Sequence, residues 1–251
     1  MAKIIAPFLI KGTLDNLNFV LTAEGLNYVR TKGTPFLTKD EFLKNPKYDH
    51  IRNHGIEFGQ CSLKAKIFRQ LAVKFNDLAK DGSFAGRVNK VLLEILQEDN
   101  SHERGKRTIE AALNTDRSLA QILSGFESNK LRPLSLVLKS KYVWKQTTLN
   151  FTIENLDVLN QIDWPEKATH IHIAIATAVW NYTNDQFSTN YSEELIFAKD
   201  SEIQSLNLYT TPILTNNLVL TFLFLGFAKQ ENKKYRMLHR KFNTCTIISC
   251  I

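Results

Sequence analysis

His170 and His172 stand two residues apart, so a strand through them projects both imidazoles from one face, close enough to share a metal ion. No third ligand of suitable type lies near them in sequence, and exposed strand histidines are the better reading. The two remain the candidates for a metal, and no cofactor is expected. His50 and His54, with Asp49 and Glu57, have the i, i+4 spacing of a helical ligand pair. Pro46 and Gly55 argue against a rigid helix at that point. Glu193 and Glu194 are adjacent, so an extended backbone turns them to opposite sides, the wrong arrangement for shared acid–base work. The serines and threonines have no base at a readable spacing. Phosphate-binding glycine loops, a G-x-S-x-G elbow and an H-E-x-x-H helix are all missing from the sequence. The expectation is a protein without catalytic activity.

A second kind of chemistry is offered by cations. Arg52, Lys64, Lys66, Arg69 and Lys80 fall along one stretch with Lys74, a set that could contact phosphates without reading base sequence. His102, Arg104, Lys106 and Arg107 add a second basic cluster. Asp77, Glu103 and Glu110 interrupt the field, and no helix-turn-helix or RNA-recognition signature accompanies it. Trp144, Trp164, Trp180, Tyr182 and Tyr191 lie in or beside strand-like segments, where aromatics usually serve packing. Trp164, in Asp163-Trp164-Pro165, becomes a partner contact if its loop exposes it.

The elements that must position these residues fall into three stretches. Residues 1–50 read as an extended arm, with a hairpin of Leu17–Thr22 and Leu26–Thr31 turning at Gly25. Residues 51–130 read as a helical unit. Leu63, Ile67, Leu71, Phe75 and Leu78 form one amphipathic stripe over 56–80, widened by Phe68, Ala72 and Ala79. A second helix follows a Ser83 cap, with Phe84, Val88, Val91, Leu92 and Ile95 on its apolar face. A third runs from a Ser101 cap to about Asn114, and Asp116 caps a short fourth turn ended by Gly125. Residues 131–251 read as a β-sandwich-like domain. Its candidate strands are Leu134–Trp144, Thr148–Ile153, His170–Trp180, Glu194–Ala198, Ser205–Leu214, Leu218–Phe227, Tyr235–Arg240 and Thr244–Ile251. Leu218–Phe227 is apolar at nearly every position, as a central strand covered on both faces should be. The fold class is therefore α+β: an N-terminal β-hairpin arm, a small helical unit and a C-terminal antiparallel sandwich-like domain.

Charge and cysteine usage limit the partners. The formal net charge is +7, and residues 1–93, with 15 Lys/Arg against 8 Asp/Glu, carry all of it. A basic excess of this kind suits an anionic partner or a solvated surface. Cys61, Cys245 and Cys250 form no disulfide framework and no C-x-x-C pair, so free thiols in a reducing compartment are expected. Cys245 and Cys250 should face opposite sides of their strand. Leu218–Phe227 is about half of what a membrane-crossing helix needs, and the apolar start of the chain is too short for a signal-peptide core. These points favour a soluble, cytoplasmic protein.

Several short patterns recur in a recognisable order. They are Gly12-Thr13-Leu14-Asp15-Asn16-Leu17-Asn18-Phe19, Tyr28-Val29-Arg30-Thr31-Lys32-Gly33, Glu57-Phe58-Gly59 and Arg104-Gly105-Lys106-Arg107. Gly125-Phe126-Glu127-Ser128-Asn129, Pro165-Glu166-Lys167-Ala168-Thr169-His170 and Lys241-Phe242-Asn243 complete the set. Over nearly its whole length the chain resembles a family of uncharacterised proteins of Bacteroidetes, especially flavobacteria-type genomes. It departs from that pattern at Gln60-Cys61-Ser62, where a glycine- and alanine-rich helical segment would stand. The resemblance implies no activity and no site residues.

The reading that joins these points is a structural or protein-interaction protein, self-assembling or a subunit of a larger assembly. Edge strands and the arm would make the contacts, through Phe8, Phe19, Tyr28 and Phe36. Its partners would be itself or other protein subunits. Nucleic-acid binding through the basic helix at 64–80 is the alternative.

Overall fold

A computed structural model describes residues 2–5, 8–22, 25–33, 37–211, 217–232 and 234–251. The chain forms two compact units, residues 1–52 and 53–251.

The first unit holds four short strands, β1 (Ala2–Lys3), β2 (Gly12–Leu14), β3 (Leu17–Leu21) and β4 (Asn27–Thr31), followed by α1 (Lys39–Lys44). The strands form an antiparallel sheet in the order β1-β4-β3-β2. Gly25, at φ +81°, makes the β3–β4 turn in a conformation that favours glycine. Asn27 is the unit's buried polar anchor. Its Nδ2 donates to Ile10 O at 2.7 Å and to Val20 O at 3.3 Å, tying the segment before β2 to the hairpin. Thr38 caps α1 by accepting from Glu41 N, with Glu41 at the matching capping-box position.

Helix α2 (Asp49–Phe68) has its first turn in the first unit and the rest in the second. It runs straight through Gly55, where an added Cβ would meet nothing, so neither Pro46 nor Gly55 breaks it. The second unit continues with α3 (Val73–Ala79), α4 (Phe84–Gln97), α5 (Ile109–Thr115), a 3-10 stretch at Arg117–Leu123 and the short α6 (Leu134–Val137). Strands β5 (Val143–Lys145), β6 (Asn150–Leu156), β7 (His170–Trp180), β8 (Phe187–Tyr191) and β9 (Leu195–Ala198) follow. Then come β10 (Gln204–Tyr209), β11 (Leu218–Glu231), β12 (Lys234–Met237) and β13 (Thr244–Cys250).

Three layers result. The middle layer is built on β7 and β11, which pair antiparallel from Leu218↔Trp180 to Ala228↔His170. Each is flanked on its outer edge by two short strands in succession: β8 and β9 along β7, β13 and β12 along β11. Alternation sorts the side chains. Ala174, Ala176, Ala178 and Trp180, with Leu218, Leu220, Phe222 and Phe224, share a core with the helices. Ile171, Ile173 and Ile175, with Leu223, Leu225 and Phe227, share a second core with the smaller sheet β10-β6-β5. The Ile/Ala alternation of β7 thus puts bulk between the sheets and small residues under the helices, where Phe68 and Phe75 fill the space. The α+β class and the central position of β11 agree with the sequence reading. Among the described residues, no helix is long and apolar enough to cross a membrane.

Several local expectations fail for identifiable reasons. The stripe over 56–80 is two helices, not one. Gln70 and Leu71 donate to carbonyls three residues back, Ala72 leaves the helical region, and Asn76 Nδ2 takes up Arg69 O. The buried face of α2 is Glu57, Cys61, Ala65 and Phe68, and Leu63 is 69% exposed. The cap of α5 is Thr108, which accepts from Ala111 N; Ser101 serves Asp99 instead. Leu134–Trp144 is not a strand: Pro133 caps α6 in extended backbone, Glu127 Oε1 accepts from Leu134 N, and β5 begins only at Val143. Strand β8 was not anticipated. Cys245 and Cys250 share one core, because Ile248 is an unpaired extra residue between Ile247↔Phe222 and Ser249↔Thr221 and reverses the alternation.

Candidate functional site

The arm residues expected to make contacts lie on the N-terminal sheet. Phe19 sits in β3 opposite Gly12 and Val29, and Tyr28 in β4 opposite Val20 and Lys3, both half-buried. Phe8 is 62% exposed. Phe36 lies outside the described residues. Among the described residues of this unit no hydrophobic side chain is buried, while Ile5, Leu9, Leu14 and Leu17 are exposed along with Phe8. Strands β1 and β2 are the two edges of the sheet, and β2 is exposed at all three positions.

The cations of the basic stretch are put to different uses. Arg52 donates to Phe42 O and Asn45 O and pairs with Asp49, tying the end of α1 to the start of α2. Lys64 is 13% exposed, and its Nζ reaches Tyr182 O at 2.6 Å, Asp185 Oδ1 at 2.8 Å and Glu110 Oε1 at 2.5 Å. All three ammonium protons are thereby occupied, which ties α2 to α5 and to the loop after β7. Lys80 pairs with Asp77 at 2.6 Å. Lys66 is exposed and Arg69 half-buried, and neither forms an ion pair among the described residues. Arg69 and Lys80 line a common cleft with Arg240.

His170 and His172 do come together, both packing on Tyr235 with ring centroids 4.8 and 5.7 Å away. His172 is buried; its Nδ1 lies 3.1 Å from Glu194 Oε1, yet neither ring nitrogen makes a geometrically sound hydrogen bond. Among the described residues, no three His, Cys, Asp or Glu side chains gather as a metal-binding group. Trp164 is half-buried: its Nε1 donates to Val158 O at 2.8 Å and its ring meets Phe227 edge-on, so it packs the core between the sheets.

The polar groups with the strongest environments are Glu57, Asp99 and Glu127, each held by other parts of the chain. Glu57, fully buried, accepts from Arg107 Nε and Nη2 at 2.8 Å each and from Gly105 N at 2.7 Å. The Arg107 hydrogen bonds hold its carboxyl below the usual range despite burial. Asp99 is equally buried. Burial pushes its carboxyl up, but Ser101, the Thr108 amide and His102 outweigh this and leave it well below the usual range. Glu127 goes the other way: burial raises it, against hydrogen bonds from Thr246 Oγ1 and Leu134 N. Asn129 Nδ2 donates to Asn243 O, and the buried Asn243 bridges Phe227 N and Leu78 O. Two of these arrangements join segments distant in the chain, Glu57 with Gly105 and Arg107, and Asn129 with Asn243. In the sequence Glu57 reads beside His50 and His54, and Arg107 within a basic cluster; their pairing is not legible there because the partners lie 50 positions apart, and those of Asn129 and Asn243 lie 114 apart.

No protein-family model, curated protein or solved structure matches this chain.

Proposed function

We propose that the chain is a structural protein that acts by contact rather than by catalysis, with residues 1–52 docking on a second copy of the same chain. The observation that carries this reading is the absence of any buried hydrophobic side chain among the described residues of that unit. A sheet of four short strands needs a covered face to be stable. Burying each of Phe8, Leu9 and Leu14 would contribute about 1.5–3 kcal/mol. The β2 edge has unpaired backbone groups that a second copy can meet in antiparallel register, since a two-fold axis brings the same edge to itself. Glu57, Asp99 and Glu127, whose titration is shifted, are engaged by neighbouring amides, hydroxyls and Arg107, which fits a structural role. Nucleic-acid binding through residues 64–80 has less support, because Lys64 and Lys80 are already paired.

The test is light scattering coupled to size-exclusion chromatography on the full chain. A concentration-dependent dimer or higher assembly is expected, and Phe8→Asp with Leu14→Asp should return it to monomer. A monomer at all concentrations would sink the reading.

A further inference from the structure

Between the turn joining α2 to α3 and the start of α4 lies a half-open cleft of about 360 Å³. Its charged lining comes from three places in the chain: Arg69, the pair Asp77 and Lys80 with Asp81, and Arg240. The ion pairs decide the net field. Asp77 is neutralised by Lys80 at 2.6 Å. Asp81 is neutralised by Arg87 at 2.8 Å and also accepts from Ser83 N, Ser83 Oγ and Lys130 N. Burial pushes the Asp81 carboxyl up, but those donors leave it below its ordinary value, so it stays anionic and fully engaged. Arg69 and Arg240 have no hydrogen-bond or ion-pair partner for their guanidiniums among the described residues, leaving the cleft two positive charges in excess.

Guanidinium is a planar fork whose donors match phosphate oxygens in pairs. Gly82, Phe84 and Ala85, at the start of the fourteen-residue α4, form another wall, and the positive end of that helix adds to the same field. Val73 offers an apolar surface beside the charges. We propose that this cleft binds a small phosphate monoester, its phosphate held between Arg69 and Arg240 and its organic part against Val73. The volume is in the range of small-molecule sites. A nucleic acid strand would need a track of several free cations, and here Arg52, Lys64 and Lys80 are committed to other groups.

Titration calorimetry on the full chain, at constant ionic strength, tests this with inorganic phosphate, adenosine 5′-monophosphate, adenosine and a single-stranded oligonucleotide. Saturable binding of phosphate and the monophosphate is expected, with none for adenosine. Arg240→Gln and Arg69→Gln should each weaken it roughly tenfold, whereas Lys90→Gln, on the exposed side of α4, should leave it unchanged. Arg240 is exposed, so its variant is expected to keep the fold even if Arg69→Gln does not. No saturable binding of either phosphate compound would overturn the proposal, as would binding indifferent to Arg240→Gln. Tighter binding of the oligonucleotide that also falls in Lys66→Gln would overturn it in favour of a nucleic-acid surface.

Discussion

Glu57 shows how much one buried group can control. Its carboxylate has no solvent and depends on Arg107 and the Gly105 amide. Glu57→Gln should cost about 3 kcal/mol, the usual penalty for stranding one member of a buried ion pair, read as a lower urea midpoint. The pH dependence follows from direction. Glu57, Asp81 and Asp99 titrate lower in the folded chain than in the unfolded one. Their stabilisation is complete above the unfolded value, near pH 4, and is lost as pH falls through the folded values. Glu127, raised by burial, has the opposite sign: its contribution falls as pH rises past its unfolded value. Urea midpoints between pH 7 and pH 3 should fall with acid, and less steeply in Glu57→Gln. The three cysteines give a second outcome at this scale. Burial pushes each thiol up to about 12, with Glu57 and Glu110 adding to the effect at Cys61. A thiol reagent at pH 8 should label none in the native protein and all three in urea. That they are free was legible from their number and spacing. That Cys245 and Cys250 share a core was not, because a one-residue bulge leaves no composition signal.

Long periodic segments announce themselves, and breaks do not. The alternation of β7 and the apolar run of β11 fixed their place, since only a strand covered on both faces tolerates Leu218–Phe227. The interruption at 69–72 has neither Gly nor Pro to mark it; it is imposed by Asn76 and by packing against the sheet. A four-residue helix such as α6 is too short to set a period. Within β11, Gly226 has a mark of another kind. A Cβ there would lie 2.6 Å from Phe224 Cζ and in collision with Met237 Cε of β12. Gly226→Ala should therefore cost about 1–3 kcal/mol through overpacking. Gly226→Ala combined with Met237→Ala should lose less than the sum of the two single variants in a thermal-unfolding double-mutant cycle.

Across the whole molecule, stability is unevenly shared. All the buried hydrophobic side chains of the described residues belong to residues 53–251. A fragment from Asp49 onward should keep cooperative unfolding, and residues 1–52 alone should show none by circular dichroism. The sequence reads as stretches 1–50, 51–130 and 131–251; the compact units are 1–52 and 53–251, and helices and strands of the second unit share one core because their apolar faces meet. The cleft was half legible: Arg69 and Lys80 stand in one basic stretch, whereas Arg240 reaches it only through the return of the chain after β12.

Asn243 also bears on how fast the chain can fold. Its side chain joins Phe227 to Leu78, 165 positions away, and Lys64 meets Asp185 across 121. Such long loops must close before they stabilise anything, which places folding toward the slow end, milliseconds to seconds. During synthesis α2, α3 and α4 emerge before β7 and β11, the strands that cover them. For that interval Phe68, Leu71 and Phe75 have no sheet to pack on, and their apolar surface stays uncovered until β7 and β11 arrive. The contact of Asn243 with Leu78 closes a loop of 165 positions, a late event when long loops form last, so Asn243→Ala should leave refolding nearly unchanged in stopped-flow experiments. It should speed unfolding about thirtyfold, corresponding to a loss of about 2 kcal/mol.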